Sequence, residues 1–374
     1  SMEKLLFRKL ITDISLRALI ITFTLGAIVW IVQAVNYLDF VIDDGHNFRI
    51  YFYYNLFNFP KIVHRILPFV LFISIFFELI KYEKNNELII FWINGISKKN
   101  FILNLAKFSL VLMLIQIIIG SIISPSSQFK SRLFLKESNM DFLPNLIKPG
   151  KFIDTISGLT IFINEKTTEN SYKNIYIQEG NLFELDRNNQ IIFAKEGFLI
   201  DNEKKIFRLL NGKIISTNNK KLISFQFDKV DYDLSKFSSK TITVPKIQEL
   251  SSLKIIKCSF NLMTNNSYQD EMFDCNIERL KNLNNELYKR LIKPLYIPLL
   301  TLICCFLIIF SKEQNNYTLK TIKVFLSVFL ILVISETLMR YVDNSLAYLF
   351  LLMFIPIIFY IISYILLIKK VRYG

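Results

Sequence analysis

The chain has 374 residues, 52% of them hydrophobic, a formal net charge of +14 and a mean hydropathy of +0.37. Soluble domains average about 45–50% apolar residues with glycine counted, so an ordinary soluble globule is excluded and a bilayer is the expected solvent. Nucleic-acid binding is also excluded, because the basic residues follow a membrane topology instead of gathering on one face.

Ile, Phe, Lys and Asn are abundant along the whole chain, so segment length decides where the spans lie. A span needs about 20 mostly apolar residues. Six segments qualify: Ala18–Leu38, Lys61–Ile80, Phe101–Ile123, Leu291–Phe310, Ile322–Tyr341 and Leu346–Ile368. Lys4, Arg8, Lys9 and Arg17 precede the first; Lys81, Lys84, Lys98 and Lys99 join the second to the third; Lys312, Lys320 and Lys323 join the fourth to the fifth; Lys369, Lys370 and Arg372 close the chain. The alternate connections are poor in such residues, with Asp39, Asp43, Asp44 and Arg49 after the first span and Arg340 and Asp343 after the fifth. The positive-inside rule then puts both termini in the cytoplasm and the large insert outside, and a bacterial inner membrane facing a periplasm is the simplest address. Ser1 before Met2 reads as a cloning remnant. The first apolar stretch is too long for a signal h-region and no A-x-A-like site follows, so it is read as an uncleaved span.

Between the second and third spans runs Glu87-Leu88-Ile89-Ile90-Phe91-Trp92-Ile93, preceded by Asn85-Asn86 and followed by Asn94-Gly95. Asn85 or Asn86 can cap a short helix, Glu87 suits its positive end, and Gly95 can close it. A helix over about 84–96 is too short to span. Its apolar face must dock, either on lipid or on a partner protein.

The segment 124–285 changes character. Short apolar runs recur at Phe152–Ile156, Leu159–Ile163, Asn174–Gln178, Asn181–Leu185, Ile191–Lys195, Phe198–Asp201, Ile206–Leu210, Ile214–Thr217 and Leu222–Phe227. Ser157-Gly158, Glu179-Gly180, Asn188-Asn189, Glu196-Gly197 and Asn211-Gly212 separate them, the last being the strongest hairpin signal. The spacing predicts an antiparallel sandwich or jelly roll, turning helical after Pro245. The only histidines are His46 and His64, outside this segment, and no Cys/His set could hold a metal there. No G-x-S-x-G or S-x-x-K is present. Such a sheet binds rather than catalyses. Cys258 and Cys275 lie where oxidation can join them, two free thiols being the alternative, whereas Cys304 and Cys305 sit inside the fourth span as small packing residues.

Five cations stand where the positive-inside rule disfavours them: Lys61 and Arg65 at the outer start of span two, and Lys289, Arg290 and Lys293 at the outer start of span four. Contact with lipid phosphate explains them; snorkelling to ordinary headgroups is the alternative. Glu336 and Arg340, four residues apart on span five, are placed to pair on one helical face.

Several motifs together resemble the lipopolysaccharide-export permeases of the LptF/LptG family. They are Glu87-Leu88 followed by Gly95-Ile96-Ser97, Pro60 and Pro68 about span two, Lys148-Pro149-Gly150-Lys151-Phe152 followed by Gly158-Leu159-Thr160-Ile161, and Glu286-Leu287-Tyr288-Lys289-Arg290-Leu291 with Pro294-Leu295. The likeness runs along the whole chain. It is closer to LptF than to LptG in the Lys-Pro-Gly-Lys-Phe stretch and the Glu-x-x-x-Arg before span four. The resemblance implies a polytopic α-helical membrane protein: spans one to three in 1–123, a jelly-roll-like periplasmic domain with a helical connector in 124–285, and spans four to six in 286–374. It also implies a non-catalytic permease subunit of an ABC exporter, paired with an LptG-like paralogue, a cytoplasmic LptB-like ATPase dimer that holds the ATP and Mg, and LptC/LptA-like jelly-roll proteins that carry lipopolysaccharide onward. The chain itself would hold no cofactor, having no G-x-x-x-x-G-K-[ST] to cradle a nucleotide. Glu87, Leu88, Phe91, Trp92 and Gly95 would then meet the ATPase. In the family, basic residues at the outer end of span one approach lipid phosphates; here that end reads Asn36-Tyr37-Leu38-Asp39, so that role does not carry over. A permease for another lipid or for lipoproteins is the alternative, but such proteins usually have four spans with the external domain after the first.

Overall fold

The structure is a computed structural model that describes residues 2–38, 48–138, 149–156, 158–168, 171–180, 189–201, 206–218, 221–234, 246–264, 275–342 and 345–373. Among them six helical stretches are long and apolar enough to cross a membrane: Met2–Asn36, Phe48–Lys84, Lys98–Phe134, Ile277–Ile309, Tyr317–Tyr341 and Leu346–Arg372. A six-stranded antiparallel sheet lies between the third and the fourth. The expected class, a polytopic helical chain with an inserted β domain, is the one observed. The chain divides into a helical unit, Ser1–Ile31, Asn58–Phe129 and Pro245–Gly374, and a second unit, Val32–Phe57 and Lys130–Val244. The connector 245–285 therefore goes with the helices and not, as its place in the sequence suggested, with the sheet.

We number the helices α1 (Met2–Asn36), α2 (Phe48–Lys84), α3 (Glu87–Ile93), α4 (Lys98–Ile118), α5 (Ser124–Ser138), α6 (Ser252–Met263), α7 (Leu280–Leu287), α8 (Tyr296–Cys304), α9 (Tyr317–Leu338) and α10 (Leu346–Tyr373). A π-helical turn, Ile119–Ile123, joins α4 to α5, and another, Tyr288–Ile292, follows α7. Pro294 and Pro298 deprive the stretch after it of two N–H donors, which is why its hydrogen-bond ladder changes pitch. All nine residues of α8 are buried. It shares one buried cluster with Phe7, Leu10 and Ile14 of α1, Phe72, Phe76 and Leu79 of α2, and Leu105 of α4. Lipid is as apolar as leucine, so these contacts hold by close packing rather than by exclusion of water. Gly120 shows the fit: a Cβ there would lie 2.3 Å from His64 Cε1.

In the second unit β1 (Phe152–Ile156), β2 (Leu159–Thr168), β3 (Ser171–Glu179), β4 (Asn189–Asp201), β5 (Ile206–Asn218) and β6 (Lys221–Asp233) each pair with the next. The connectivity is a meander, since the short links leave no length for a Greek-key crossover. The turn expected at Gly158 occurs, with φ of 75°, and β3 ends as expected before Gly180, whose φ is 87°. The turns expected at Glu196-Gly197 and Asn211-Gly212 do not occur. Both dipeptides lie inside strands, so the runs on either side of each merge into β4 and β5. The run Asn181–Leu185 lies outside the described residues.

A corner explains the misreading. On β4, Ile192 and Ala194 point inward, Lys195 and Glu196 both point outward, and Gly197 and Leu199 point inward again. Lys173-Asn174 on β3 and Asp228-Lys229 on β6 repeat the double step in the same transverse row, and pairing continues on both sides of it. Asn174 and Asn211 take left-handed backbone there, with φ of 53° and 50°, a conformation asparagine tolerates better than most residues. The sheet folds over along this row. Glu179 aligns through β4 and β5 with Ile223 on β6, and Tyr232 lies nine residues further along β6, about 30 Å away in a flat strand. Yet the Tyr232 hydroxyl donates to Glu179 Oε2 at 3.3 Å. One meander thus supplies both layers of a sandwich, closing over a single core that includes Ile161, Ile177, Ile192, Tyr172, Phe207 and Leu209.

Candidate functional site

Two places in the helical unit gather the residues singled out in the sequence. The first is α3. Asn86 precedes it in left-handed conformation, φ 60°, without a side-chain cap; Asn85 instead donates Nδ2 to Glu87 Oε1 at 3.2 Å. Neither asparagine therefore caps the helix as expected. The closing role of Gly95 does hold. Its φ is 79°, its N–H reaches Trp92 O at 3.1 Å, and the Ile96 N–H reaches Phe91 O at 3.1 Å. This is a Schellman closure, with Ile96 packed in the same core as Phe91.

The closure fixes which way the helix faces. Leu88 and Phe91 are buried, Phe91 lying 5.4 Å from Phe7 and 5.2 Å from Phe101 between ring centroids. Trp92 is half-buried, 5.6 Å from Phe101. Leu88 and Phe91, grouped in the sequence with the docking residues, therefore anchor α3 to its own unit. The outward apolar face belongs to Ile89, Ile90 and Ile93, the last 78% exposed. Sequence reasoning missed these three because the helix is apolar on every side.

Glu87 takes Lys9 Nζ of α1 at 2.9 Å. The Lys9 ammonium holds the Glu87 carboxyl below the usual carboxylate range. One turn further along α1, Asp13 accepts from the Tyr82 hydroxyl at 2.6 Å, and one turn beyond that Arg17 Nε meets Glu78 at 2.5 Å. Glu78 is buried and also takes Lys81 at 2.9 Å. Lys9, Asp13 and Arg17, four residues apart, thus form a polar ladder beside α2 and α3. That period was the available signal for Lys9. At the same end, the Lys312 N–H donates to Glu83 Oε1 at 2.9 Å and Lys312 Nζ to Lys84 O at 3.2 Å.

The second place holds Lys61, Arg65, Lys289, Arg290 and Lys293 with Glu286 and Glu336. Arg290, read as a phosphate contact, is buried. Nε donates to Glu286 Oε1 at 3.0 Å, Nη1 to Leu250 O at 2.7 Å and Ser252 Oγ at 3.3 Å, and Nη2 to Gln248 O at 2.9 Å. With its donors engaged inside the protein, it is a structural clamp. Lys293 pairs with Glu336, and Lys289 lies 3.7 Å from Glu286. Arg65 is exposed and Lys61 half-buried; neither forms an ion pair among the described residues. The expected Glu336–Arg340 pair is absent, because Arg340 lies beyond α9 in the three-residue 3₁₀ turn Met339–Tyr341, whose tighter winding carries it off the face of Glu336. Cys258 and Cys275 are joined in a disulfide with Cα atoms 6.0 Å apart. No group of His, Cys, Asp and Glu able to hold a metal occurs among the described residues.

The family model of the lipopolysaccharide export system permease LptF/LptG matches residues 8–370. An uncharacterized protein of Rickettsia prowazekii (strain Madrid E), RP871, is 27% identical over 300 residues, 78% of each chain.

Proposed function

Because the chain belongs to the LptF/LptG family of lipopolysaccharide export permeases, we propose that it is the membrane-embedded subunit of an ABC exporter that lifts lipopolysaccharide out of the inner membrane and hands it to a periplasmic bridge. In this reading both termini are cytoplasmic and the folded sheet is periplasmic. A partner ATPase dimer supplies the energy, with ATP and Mg held in that subunit, and an LptG-like paralogue completes the pathway.

One observation carries the reading: α3 is pinned by Leu88, Phe91 and its glycine closure while presenting Ile89, Ile90 and Ile93 outward, with Glu87 half-buried beside Lys9 at its start. A short helix that keeps three isoleucines outside its own core suits a groove in another protein. Glu87 then offers a carboxylate to a basic residue of the ATPase, exchanging one charge-assisted partner for another. Lys61, Arg65 and Lys289 supply the positive charge for a lipid phosphate, since Arg290 and Lys293 are committed elsewhere. In this reading a strand of a periplasmic jelly-roll protein adds at an edge of the meander, where β1 and β6 each have a strand neighbour on one side only among the described residues.

The test is a charge swap. Glu87→Lys should abolish ATP-driven lipopolysaccharide release from proteoliposomes while the chain still inserts, and a Lys- or Arg-to-Glu change on the ATPase should restore part of it. A contact of this kind is worth about 1.5–3 kcal/mol. Unchanged transport and unchanged ATPase co-purification with Glu87→Lys would overturn the assignment.

A further inference from the structure

Helix α6 has no role in the reading above, yet it is built for one. Ile255, Cys258 and Ser259 face inward, while Leu253, Ile256 and Phe260 are 72%, 42% and 60% exposed and share one stripe with exposed Lys257. Scattered exposed leucines need no explanation, but three large apolar groups at i, i+3 and i+7 make a continuous apolar face.

The helix cannot roll this stripe inward. Its start is clamped by Arg290, which donates to Gln248 O, Leu250 O and Ser252 Oγ, and Ser251 Oγ accepts the Lys254 N–H. Its middle is tied by the Cys258–Cys275 disulfide. Its inner face, Ile255 and Cys258, belongs to one buried cluster with Leu283, Leu287 and Tyr288 at the start of the fourth span, Val342 at the end of the fifth, and Leu349 and Leu352 at the start of the sixth. The helix therefore lies level with the ends of three spans, where lipid headgroups meet acyl chains. From Ser252 to Met263 it carries Lys254 and Lys257 and no acidic residue, which suits an anionic lipid surface.

We propose that α6 is an interfacial helix, lying along the bilayer surface with Leu253, Ile256 and Phe260 among the upper acyl carbons and Lys257 reaching headgroup phosphates. Its partner is the lipid surface itself. Through Arg290 it holds the start of the fourth span at a fixed depth.

The test uses the full chain, with any subunits that co-purify, in vesicles of phosphatidylethanolamine and phosphatidylglycerol. Trp30 and Trp92, the two native tryptophans, are replaced by Phe, and Leu253→Trp, Ile256→Trp or Phe260→Trp is added singly. The expected result is blue-shifted emission, lost to lipids brominated near the headgroup more than to lipids brominated near the chain end, and resistant to iodide. Red-shifted emission quenched by iodide would mean that the stripe faces water and would overturn the proposal. Blue-shifted emission quenched by neither reagent would mean that protein covers it, which overturns it equally. Three positions on one stripe keep the test decisive if one variant fails to assemble.

Discussion

The two charged regions of the helical unit are wired differently. Beside α3, the carboxylates of Glu78 and Glu87 and that of Asp13 are all engaged, by Arg17 and Lys81, by Lys9 and by Tyr82. At the other, five cations face two carboxylates, and only Arg290 is fully enclosed. A satisfied network fixes helices against each other, whereas surplus charge left near water is free to meet an anion. The difference separates charges already matched within the chain, which must exchange a partner to meet another protein as Glu87 does in the reading above, from surplus cations available to a phosphate.

The sharpest way to break that division is at Arg290 and Arg65, two arginines of the same region. Arg290→Met leaves Glu286 with only the longer Lys289 contact and takes the donor from Leu250 O, Ser252 Oγ and Gln248 O, so a loss of about 3–5 kcal/mol is expected in thermal unfolding of the detergent-solubilised chain. Arg65→Gln should leave stability within about 0.5 kcal/mol and, combined with Lys61→Gln, lower the recovery of phosphorylated lipid. If Arg65→Gln unfolds the chain and Arg290→Met does not, the clamp and the ligand contact have been exchanged.

A similar contrast divides the two faces of α3. Phe91→Ala should cost about 3–5 kcal/mol, because the surrounding rings of Phe7 and Phe101 cannot collapse into the void. Ile93→Asp should change stability by less than about 0.5 kcal/mol while weakening ATPase co-purification. Equal destabilisation by the two would show that Ile93 belongs to the core.

Removal of the Tyr232 hydroxyl tests the folded sheet. Tyr232→Phe leaves the packing intact and deletes the bond to Glu179, for a loss of about 1 kcal/mol in chemical unfolding. No change would mean that the layers close by apolar contact alone.

The smallest effect concerns pH. The folded-state carboxyl of Glu87 is depressed by Lys9, so its stabilising contribution is present above the ordinary carboxylate range and fades as pH falls through the lowered value. The pair is largely solvated, which limits the contribution to less than about 1 kcal/mol. Stability curves of the native chain and Glu87→Gln should be separated at neutral pH and converge at acid pH.

These contrasts also mark what could be read from the amino-acid order. The spans were legible, because a bilayer demands length and apolarity and little else. The direction of α3 was not, since a seven-residue helix apolar on all sides carries no moment, and the Schellman bonds through Gly95 decide it. The role of Arg290 was hidden because, beyond Glu286 one turn away, it donates to two backbone carbonyls some forty residues distant, which no side-chain pattern reports. Glu336 and Arg340 had the correct spacing for an α-helix, and the 3₁₀ turn removed the premise. In the sheet, alternation changes phase at Asn174, Lys195 and Asn211, and a phase change reads like a turn until the strands on both sides are seen to stay in register.

That phase change also dictates which length changes the protein can accept. Deleting Asn211 alone would restore strict alternation along β5 and turn everything on one side of the corner inside out, putting Phe207 and Leu209 in water and Arg208 in the core. Compensation would require the same deletion in the neighbouring strands, in the same row. Insertions are therefore predicted to be tolerated in the links between strands and rejected along the corner, so the strands that cross it are bound to one another in length as well as in hydrogen bonds.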